Sequence, residues 1–249
     1  MITLASDFGT PYPAAMKGVM LQRTDARLVD VAHDFPRQDV RSAGFWLREV
    51  LPYFPPAVHL VVVDPGVGTD RSALAIRAGD HALVGPDNGV LLPTARALAG
   101  DDIEVFEVEY LDPESSTFHG RDVFAPFAAE IHEEGVESFH ERDDVTPVED
   151  YQDLRFPEPA IEDGTAVGEV LVVDGFGNVV TNLPSDLLAD REEVTVNGES
   201  APVVRAYAEV GPNRRLVTVG SHGNVELAVN RGRGDDAFGV SVGDEIRIE

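Results

Sequence analysis

The sequence predicts an α/β fold, with an N-terminal layered α/β domain built on a mostly parallel sheet and a smaller C-terminal β-barrel domain. In the first half, short apolar runs alternate with segments of helical period, which is the order of α/β domains. In the last third, short β-runs are separated by Asn-Gly and Gly-Asp turns, which is typical of a small barrel or sandwich. A chain of 249 residues with 43% apolar content is long enough for one large and one small domain.

The first domain is expected to occupy residues 1–145. Its apolar runs predict strands, and the 3.6-residue period between them predicts helices. In chain order, the predicted strands are 2–5, 28–31, 58–63 and 103–108, the predicted helices are 13–23, 40–50, 90–98 and 122–133, and a β-hairpin joins 74–76 to 82–84. Because ligands of open α/β sheets bind just past the carboxyl ends of the strands, polar residues that follow these runs are candidate site residues.

The second domain is expected at 166–249, after a linker at 146–165. The linker is acidic and contains prolines, and it has little helical or strand period. Beyond it, strands are predicted at 167–173, 194–196, 203–210, 216–219, 225–229 and 245–248.

The charge is strongly acidic: 45 acidic residues face 19 Lys and Arg, for a net charge of −26. This balance makes nucleic acid an unsuitable partner, because a phosphate backbone demands a basic patch. The acids are spread along the chain, and their mutual repulsion is relieved by salt, so we expect the cytosolic protein of a halophile. No cysteine is present, and we find neither a membrane-spanning run nor a signal peptide pattern, so a cytoplasmic location is expected.

Polar residues of catalytic type follow the predicted strands. Asp64 comes directly after the apolar run 58–63, Arg71 lies seven positions further on, and His119 lies in a polar cluster about fifty residues later. An acid, a base and an arginine at element ends are typical of a catalytic site. Asp7 follows the first predicted strand in the same way, with a helix N-cap as its alternative role. Asp87 belongs to an Asp-Asn-Gly sequence that a plain turn would also explain.

A second cluster follows the predicted strand 167–173. Asp174, Phe176 and Asn178 bring a carboxylate, an aromatic ring and an amide together. Such a set suits a purine and its sugar, because the ring can stack and the polar groups can bind hydroxyls and a ring edge. A hairpin turn is the alternative for the loop, and a barrel-core position is the alternative for Phe176.

Together these motifs resemble the S-adenosyl-L-methionine (SAM) hydroxide adenosyltransferase family, relatives of fluorinase and chlorinase. The matching segments run in order through nearly the whole chain: 6–10, 63–68, 85–89, 117–122, 174–178 and 224–232. The resemblance implies hydrolysis of SAM to adenosine and L-methionine without a cofactor or metal. It also implies a homotrimer whose active sites lie between the first domain of one subunit and the second domain of its neighbour.

The resemblance also implies roles for individual residues. Asp64, Arg71 and His119 would act on the attacking water, with either Asp64 or His119 taking its proton. The roles implied for the remaining residues are ribose hydroxyls for Asp7, the methionine ammonium for Asp174, adenine for Asn178, stacking on adenine for Phe176, and the methionine carboxylate for Ser221 and His222. Relatives often carry an arginine or a serine where His222 stands, so carboxylate recognition here would depend on Ser221 and backbone N–H groups.

Three alternatives stay open at the level of sequence. A halogenase would use chloride in place of water, but halogenating relatives lack the Asp–Arg–His set and carry an aromatic residue at the position of His119. A non-catalytic SAM or adenosine sensor would need the binding residues but neither Arg71 nor His119. A metal-dependent hydrolase would use Asp7, Asp64 and Asp87 with His119 as ligands.

Overall fold

The computed structural model describes residues 1–110, 113–162 and 164–249. The chain divides into two compact units, Met1–Arg155 and Phe156–Glu249. The linker predicted at 146–165 spans this division. The domain boundaries 1–145 and 166–249 stay predictions.

The first unit is built on a seven-stranded mixed sheet with the strand order β2-β1-β3-β5-β4-β6-β7. The strands are β1 (Ile2–Ser6), β2 (Leu28–Ala32), β3 (Val58–Val62), β4 (Ala73–Ala78), β5 (His81–Pro86), β6 (Ile103–Val108) and β7 (Val145–Pro147). β2, β1, β3 and β5 run parallel, whereas β4, β6 and β7 join through antiparallel pairs. The α/β class is confirmed, and the sheet is mixed because the predicted hairpin supplies β4 and β5.

Helices cover both faces of this sheet. They are α1 (Tyr12–Met20), α2 (Val40–Val50), α3 (Leu92–Ala99) and α4 (Ala125–Glu134). One core joins α1 and α4 to one face of the sheet, for example through Met16 and Phe127 against Leu60. A second core joins α2 and α3 to the opposite face, for example through Leu47 and Leu92. Because successive strand residues point to opposite faces, a strand buried on both sides reads as the continuous apolar run seen in the sequence.

The second unit is a nearly closed, antiparallel, barrel-like sheet with the order β12-β11-β15-β9-β10-β14-β13, with β8 paired to β9. Its elements are β8 (Ala160–Glu162), β9 (Thr165–Val173), β10 (Val179–Pro184), β11 (Glu193–Val196), β12 (Glu199–Pro202), β13 (Arg215–Val219), β14 (Asn224–Val229), a short helix α5 (Gly234–Phe238) and β15 (Glu245–Ile248). An isolated bridge from Val203 to Val217 links the two ends of this order. The predicted barrel domain is therefore confirmed.

One predicted strand of the second unit is wrong. Residues 203–210 contain several β-formers, yet only Val203 makes a bridge, and Tyr207–Glu209 form a 3₁₀ turn. Beyond Val203 and Val204, which lie against Val217 of β13, the segment has no strand partner among the described residues, and tertiary context of this kind overrides β-propensity.

Candidate active site

The candidate catalytic residues meet beyond the carboxyl end of β3. Asp64 lies two residues past the end of β3, and the loop that follows turns sharply at Gly68, where φ is +77°. A Cβ atom on Gly68 would lie 2.7 Å from the carbonyl oxygen of Ser116. Glycine at this position therefore lets the loop after β3 pack directly against the segment that carries His119.

Asp64, Arg71 and His119 form one hydrogen-bonded cluster. Arg71 Nε donates to Asp64 Oδ1 at 3.0 Å, and Arg71 Nη2 donates to Asp64 Oδ2. The same Nη2 lies 3.0 Å from His119 Nδ1. Asp64 is 8% exposed and His119 is 4% exposed, so the cluster is largely shielded from solvent. Charged hydrogen bonds are stronger in such a site than in water.

The hydrogen-bond inventory of this cluster fixes the tautomer of His119. Arginine only donates, so His119 Nδ1 must accept the second N–H of Arg71 Nη2, and in the neutral ring the proton then lies on Nε2. Burial and the positive charge of Arg71 lower the pKa of His119 from its usual value, and Asp64 and Asp122 oppose this shift. His119 is therefore a neutral imidazole that presents an Nε2–H donor.

Aromatic rings pack around the cluster. The guanidinium of Arg71 lies 5.0 Å from the ring centroid of Phe124, and the ring of Tyr110 meets His119 edge-on at 5.7 Å. His119 directly precedes a single π-helical turn, Gly120–Phe124, that leads into α4. Such turns are frequent at functional sites. The sequence predicts a helix here from residue 122, and it gives no sign of the π turn.

Asn88 is a positioning residue that sequence reasoning missed. Its side-chain amide donates to the carbonyl of Val63 at 2.8 Å, directly before Asp64, and its Oδ1 accepts the backbone N–H of Val90. Asn88 thus ties the end of β3 to the end of β5. Asp87 instead accepts the backbone N–H of Gln152 at 2.8 Å. The sequence signal for Asn88 was the Asp-Asn-Gly turn. A turn of this kind needs its glycine but does not need both polar side chains, so the second one indicated a further role.

Asp7 lies one residue past β1 and is held by the loop before α2. Its Oδ2 accepts the backbone N–H of Gln38 at 2.7 Å. The N-cap of α1 is Pro11, so the alternative role of Asp7 as that helix cap is wrong. Among the residues that the structure describes, no hydrogen bond to Asp7 Oδ1 is found, which leaves this oxygen able to accept from a ligand hydroxyl.

Asp174 organises the loop between β9 and β10. Its Oδ1 accepts the backbone N–H groups of Phe176 and Asn178, both at 2.8 Å, and its Oδ2 accepts from the Asn178 amide at 3.0 Å. The hairpin-turn interpretation of this loop is therefore correct as a description of its backbone. The bonds also hold the carboxylate and the amide side by side at the end of β9.

Phe176 projects from this loop and is 81% exposed, so its barrel-core alternative is wrong. An exposed aromatic ring beside a carboxylate and an amide is available to stack on a ligand base. Ser221 and His222 lie in the turn between β13 and β14, with Ser221 exposed and His222 half-buried.

Glu226 is a buried acid near these groups, and sequence reasoning missed it. It lies in β14, is 7% exposed, and accepts a hydrogen bond of 2.6 Å from the hydroxyl of Tyr207. Burial raises the pKa of Glu226; Asp174 raises it further, whereas Tyr207 and His222 oppose the shift. The carboxylate thus lies within electrostatic range of both Asp174 and His222. The available signal was an acid inside the otherwise apolar run 225–229.

Within the described ranges, no group of three His, Asp or Glu side chains is arranged to hold a metal ion. The metal-dependent alternative through Asp7, Asp64, Asp87 and His119 therefore lacks a converged ligand set in this part of the chain.

The helices of the described segments include none with the length and hydropathy of a membrane span.

Comparisons with known proteins identify the family to which the chain is similar. Residues 2–145 match the model of the SAM hydroxide adenosyltransferase N-terminal domain, and residues 168–247 match that of the C-terminal domain. A curated relative from Salinispora tropica, named (R)-S-adenosyl-L-methionine hydrolase, is 41% identical over 99% of this chain and 97% of its own length. A relative of the same name from Thermus thermophilus is 40% identical over 98% of this chain and 97% of its own length.

A solved structure has the same fold over the full length of the chain. The crystal structure of an uncharacterized conserved protein from Thermotoga maritima superposes with a TM-score of 0.84 at 34% identity, covering 100% of this chain and 99% of that one. Two family models that together cover most of the chain, and relatives that match nearly its full length, place the sequence in one family. The chain belongs to the SAM hydroxide adenosyltransferase family.

Proposed function

We propose that this protein hydrolyses S-adenosyl-L-methionine to adenosine and L-methionine, by attack of water on C5′ of the ribose. The observation that carries the proposal is the shielded Asp64–Arg71–His119 cluster at the carboxyl end of β3. The proposal is supported by the family membership of the chain. It is also supported by relatives that are named SAM hydrolases and that match this chain over nearly their full length.

The proposed reaction forms one bond and breaks one. The water oxygen bonds to C5′, the C5′–S bond breaks, and its electron pair goes to the sulfonium sulfur, which becomes the neutral thioether of methionine. One water proton is released. Because the sulfonium is a good leaving group, the protein must chiefly orient the water in line with the C5′–S bond and exclude bulk solvent, and orientation of this kind lowers barriers by up to about 7 to 11 kcal/mol.

Asp64 is the better candidate for the proton acceptor. His119 carries its proton on Nε2 while Nδ1 is occupied by Arg71, so its neutral ring can donate to the water oxygen but cannot accept from it through Nε2. The Asp64 carboxylate keeps lone pairs beyond its two bonds to Arg71. A carboxylate that accepts the proton as the C–O bond forms contributes about 10² to 10⁴ in rate.

Substrate binding in this proposal uses both compact units. Asp7 would bind the ribose hydroxyls through its remaining oxygen, and Phe176 and Asn178 would bind adenine. Asp174 would bind the methionine ammonium. Glu226, a buried acid within electrostatic range of Asp174, adds negative potential that favours a cation there. The methionine carboxylate would bind Ser221 and backbone N–H groups near His222.

A chloride-using halogenase is the second candidate, because a halophile's cytosol, the location expected here, is rich in chloride. The negative charge of Asp64 beside the water position argues against it, since an anion entering there would be repelled. The Nε2–H of His119 would offer chloride a single hydrogen bond. Because the repulsion from Asp64 opposes this one bond, we expect water and not chloride to be the nucleophile.

The test is turnover of SAM in about 2 M KCl made up in ¹⁸O-water, with products separated and weighed by mass spectrometry. We expect adenosine labelled at its 5′ oxygen together with unlabelled methionine. Formation of 5′-chloro-5′-deoxyadenosine would make the protein a halogenase, and bound but unchanged SAM would make it a sensor. Turnover that a chelator abolishes would restore the metal-dependent alternative.

Matched variants test the roles of the cluster. Asp64→Asn should reduce kcat by about 10² or more, because the amide keeps the shape but loses the basic oxygen. Asp101→Asn is the control, as Asp101 is an exposed carboxylate of the same unit. Unchanged turnover in Asp64→Asn would rule out Asp64 as the proton acceptor.

The homotrimer stays a prediction, and it can be tested through activity. Asp64→Asn and Asp174→Asn should each retain only a small fraction of wild-type activity when assembled alone. If each site combines the first unit of one subunit with the second unit of its neighbour, refolding an equal mixture should restore about one quarter of wild-type activity, because random assembly makes one site in four intact. Sites formed within single chains would restore none.

A further inference from the structure

A line of hydrogen bonds runs from the surface of α1 to the segment that carries Asp7. Lys17 Nζ donates to Asp30 Oδ2 at 2.5 Å, and Asp30 Oδ1 lies 2.8 Å from His33 Nε2. His33 Nδ1 lies 2.8 Å from the hydroxyl of Ser6, the last residue of β1. With the ring neutral, Nε2–H donates to Asp30 and Nδ1 accepts from Ser6, so each polar atom in the line has a partner.

The same histidine holds the segment through its backbone. The N–H of Gly9 donates to the carbonyl of His33 at 2.7 Å, so side chain and main chain of His33 bind on either side of Asp7. Gln38, five residues after His33, donates its N–H to Asp7 itself. Gln38 has φ +63°, an uncommon conformation for a residue with a side chain, and such conformations concentrate at functional sites.

The line runs from a surface ion pair, Lys17 with Asp30, to the fully buried hydroxyl of Ser6. Ser6 is fully buried, so its hydroxyl needs an internal partner, and it cannot act as a nucleophile toward a dissolved substrate. Lys17 is the only lysine in a chain whose other basic side chains, histidine aside, are arginine. A compact ammonium on a flexible stem meets a single carboxylate oxygen here, where a planar guanidinium would favour a forked contact.

We propose that His33 is a positioning residue for substrate: supported by Asp30 and Lys17, it fixes Ser6 and Gly9 and thereby aims the free carboxylate oxygen of Asp7 at the ribose hydroxyls, an assignment that rests on the proposed function. His33 acts through Asp7 and touches no reacting atom. Its loss should therefore weaken recognition of the ribose hydroxyls in particular, because the substrate's other contacts are made by other residues.

The experiment compares adenosine with 2′,3′-dideoxyadenosine, which lacks the two hydroxyls, by calorimetry in about 2 M KCl. We expect wild type to prefer adenosine by about tenfold or more, the range for a hydrogen bond to a charged group. In His33→Phe the preference should fall to about threefold or less, while the affinity for dideoxyadenosine stays within about twofold. His33→Asn, which keeps an acceptor near the Nδ1 position for Ser6, should recover part of the preference.

His140→Phe is the matched control, since His140 is a half-buried histidine of the same unit that contacts Arg77, near the other end of β4 from Arg71. An unchanged preference in His33→Phe, or equal weakening of both nucleosides, would overturn the positioning role. If wild type binds neither nucleoside and leaves SAM unchanged, the proposed function fails instead, and that outcome is visible without any His33 variant.

Discussion

His59 should make the first unit sensitive to mild acid. It lies in β3 and is 0% exposed, with Nδ1 2.7 Å from the Thr3 hydroxyl and Nε2 2.9 Å from His81 Nδ1. Burial, assisted by the neighbouring His81, lowers the pKa of His59 from 6.5 to about 3. The folded protein therefore keeps this ring neutral at pH values where the unfolded chain protonates it.

The sign and size of the effect follow from that difference. Below pH 6.5 the unfolded state binds a proton that the folded state refuses, so stability falls as the pH drops from 6.5 toward about 3. Between pH 7.5 and pH 5, the unfolded state binds this additional proton over about 1.5 pH units, from pH 6.5 to pH 5. At about 1.4 kcal/mol per unit, His59 alone should lower the free energy of unfolding by about 2 kcal/mol. Most carboxylates stay ionised in this range, so their titration adds little.

The assay is urea unfolding at both pH values, in about 2 M KCl and at a fixed protein concentration, for wild type and for His59→Leu. The variant lacks the titrating ring, so its loss of stability between pH 7.5 and pH 5 should be smaller than that of wild type by about 2 kcal/mol, whatever its stability at neutral pH. Equal losses in the two proteins would refute the reasoning, since they would mean that His59 is protonated in the fold or that it is solvated.

Three further predictions concern the candidate site. Arg71→Met should lower the free energy of unfolding by about 3 to 5 kcal/mol, because it leaves the buried carboxylate of Asp64 without its partner. The double variant Asp64→Asn/Arg71→Met should regain most of that stability and stay inactive. A double variant no more stable than Arg71→Met would contradict this. Glu226→Gln should gain stability relative to wild type as the pH rises above about 4.5, since burial raises the pKa of Glu226 and its ionisation in the fold is unfavourable; a relative stability that does not change with pH would count against it. Phe176→Ala should raise KM for SAM about tenfold, from a lost stacking interaction of about 1 to 3 kcal/mol, yet change the unfolding free energy by less than about 0.5 kcal/mol; unchanged KM would remove Phe176 from the adenine site.

Local sequence patterns predicted much of the fold. The alternation of apolar runs and helical periods located α2 and β6 without error, and the hairpin of β4 and β5 was correctly placed across its Ala-Gly-Asp turn. Prediction failed for residues 203–210, where only the first β-formers bond to β13, and for residues 122–124, which belong to a π turn that precedes α4. Pairing partners and helix register depend on residues far away in sequence, and local propensity does not contain them.

The sequence by itself determined the α/β class, the second barrel-like domain and the family motifs, because periodicity and turn chemistry are local properties of the chain. The tertiary structure alone decided which atoms meet. It joined Arg71 to His119 across 48 residues, which fixed the imidazole tautomer and favoured Asp64 as proton acceptor. It also buried Glu226 and exposed Phe176, because burial depends on which strands become neighbours.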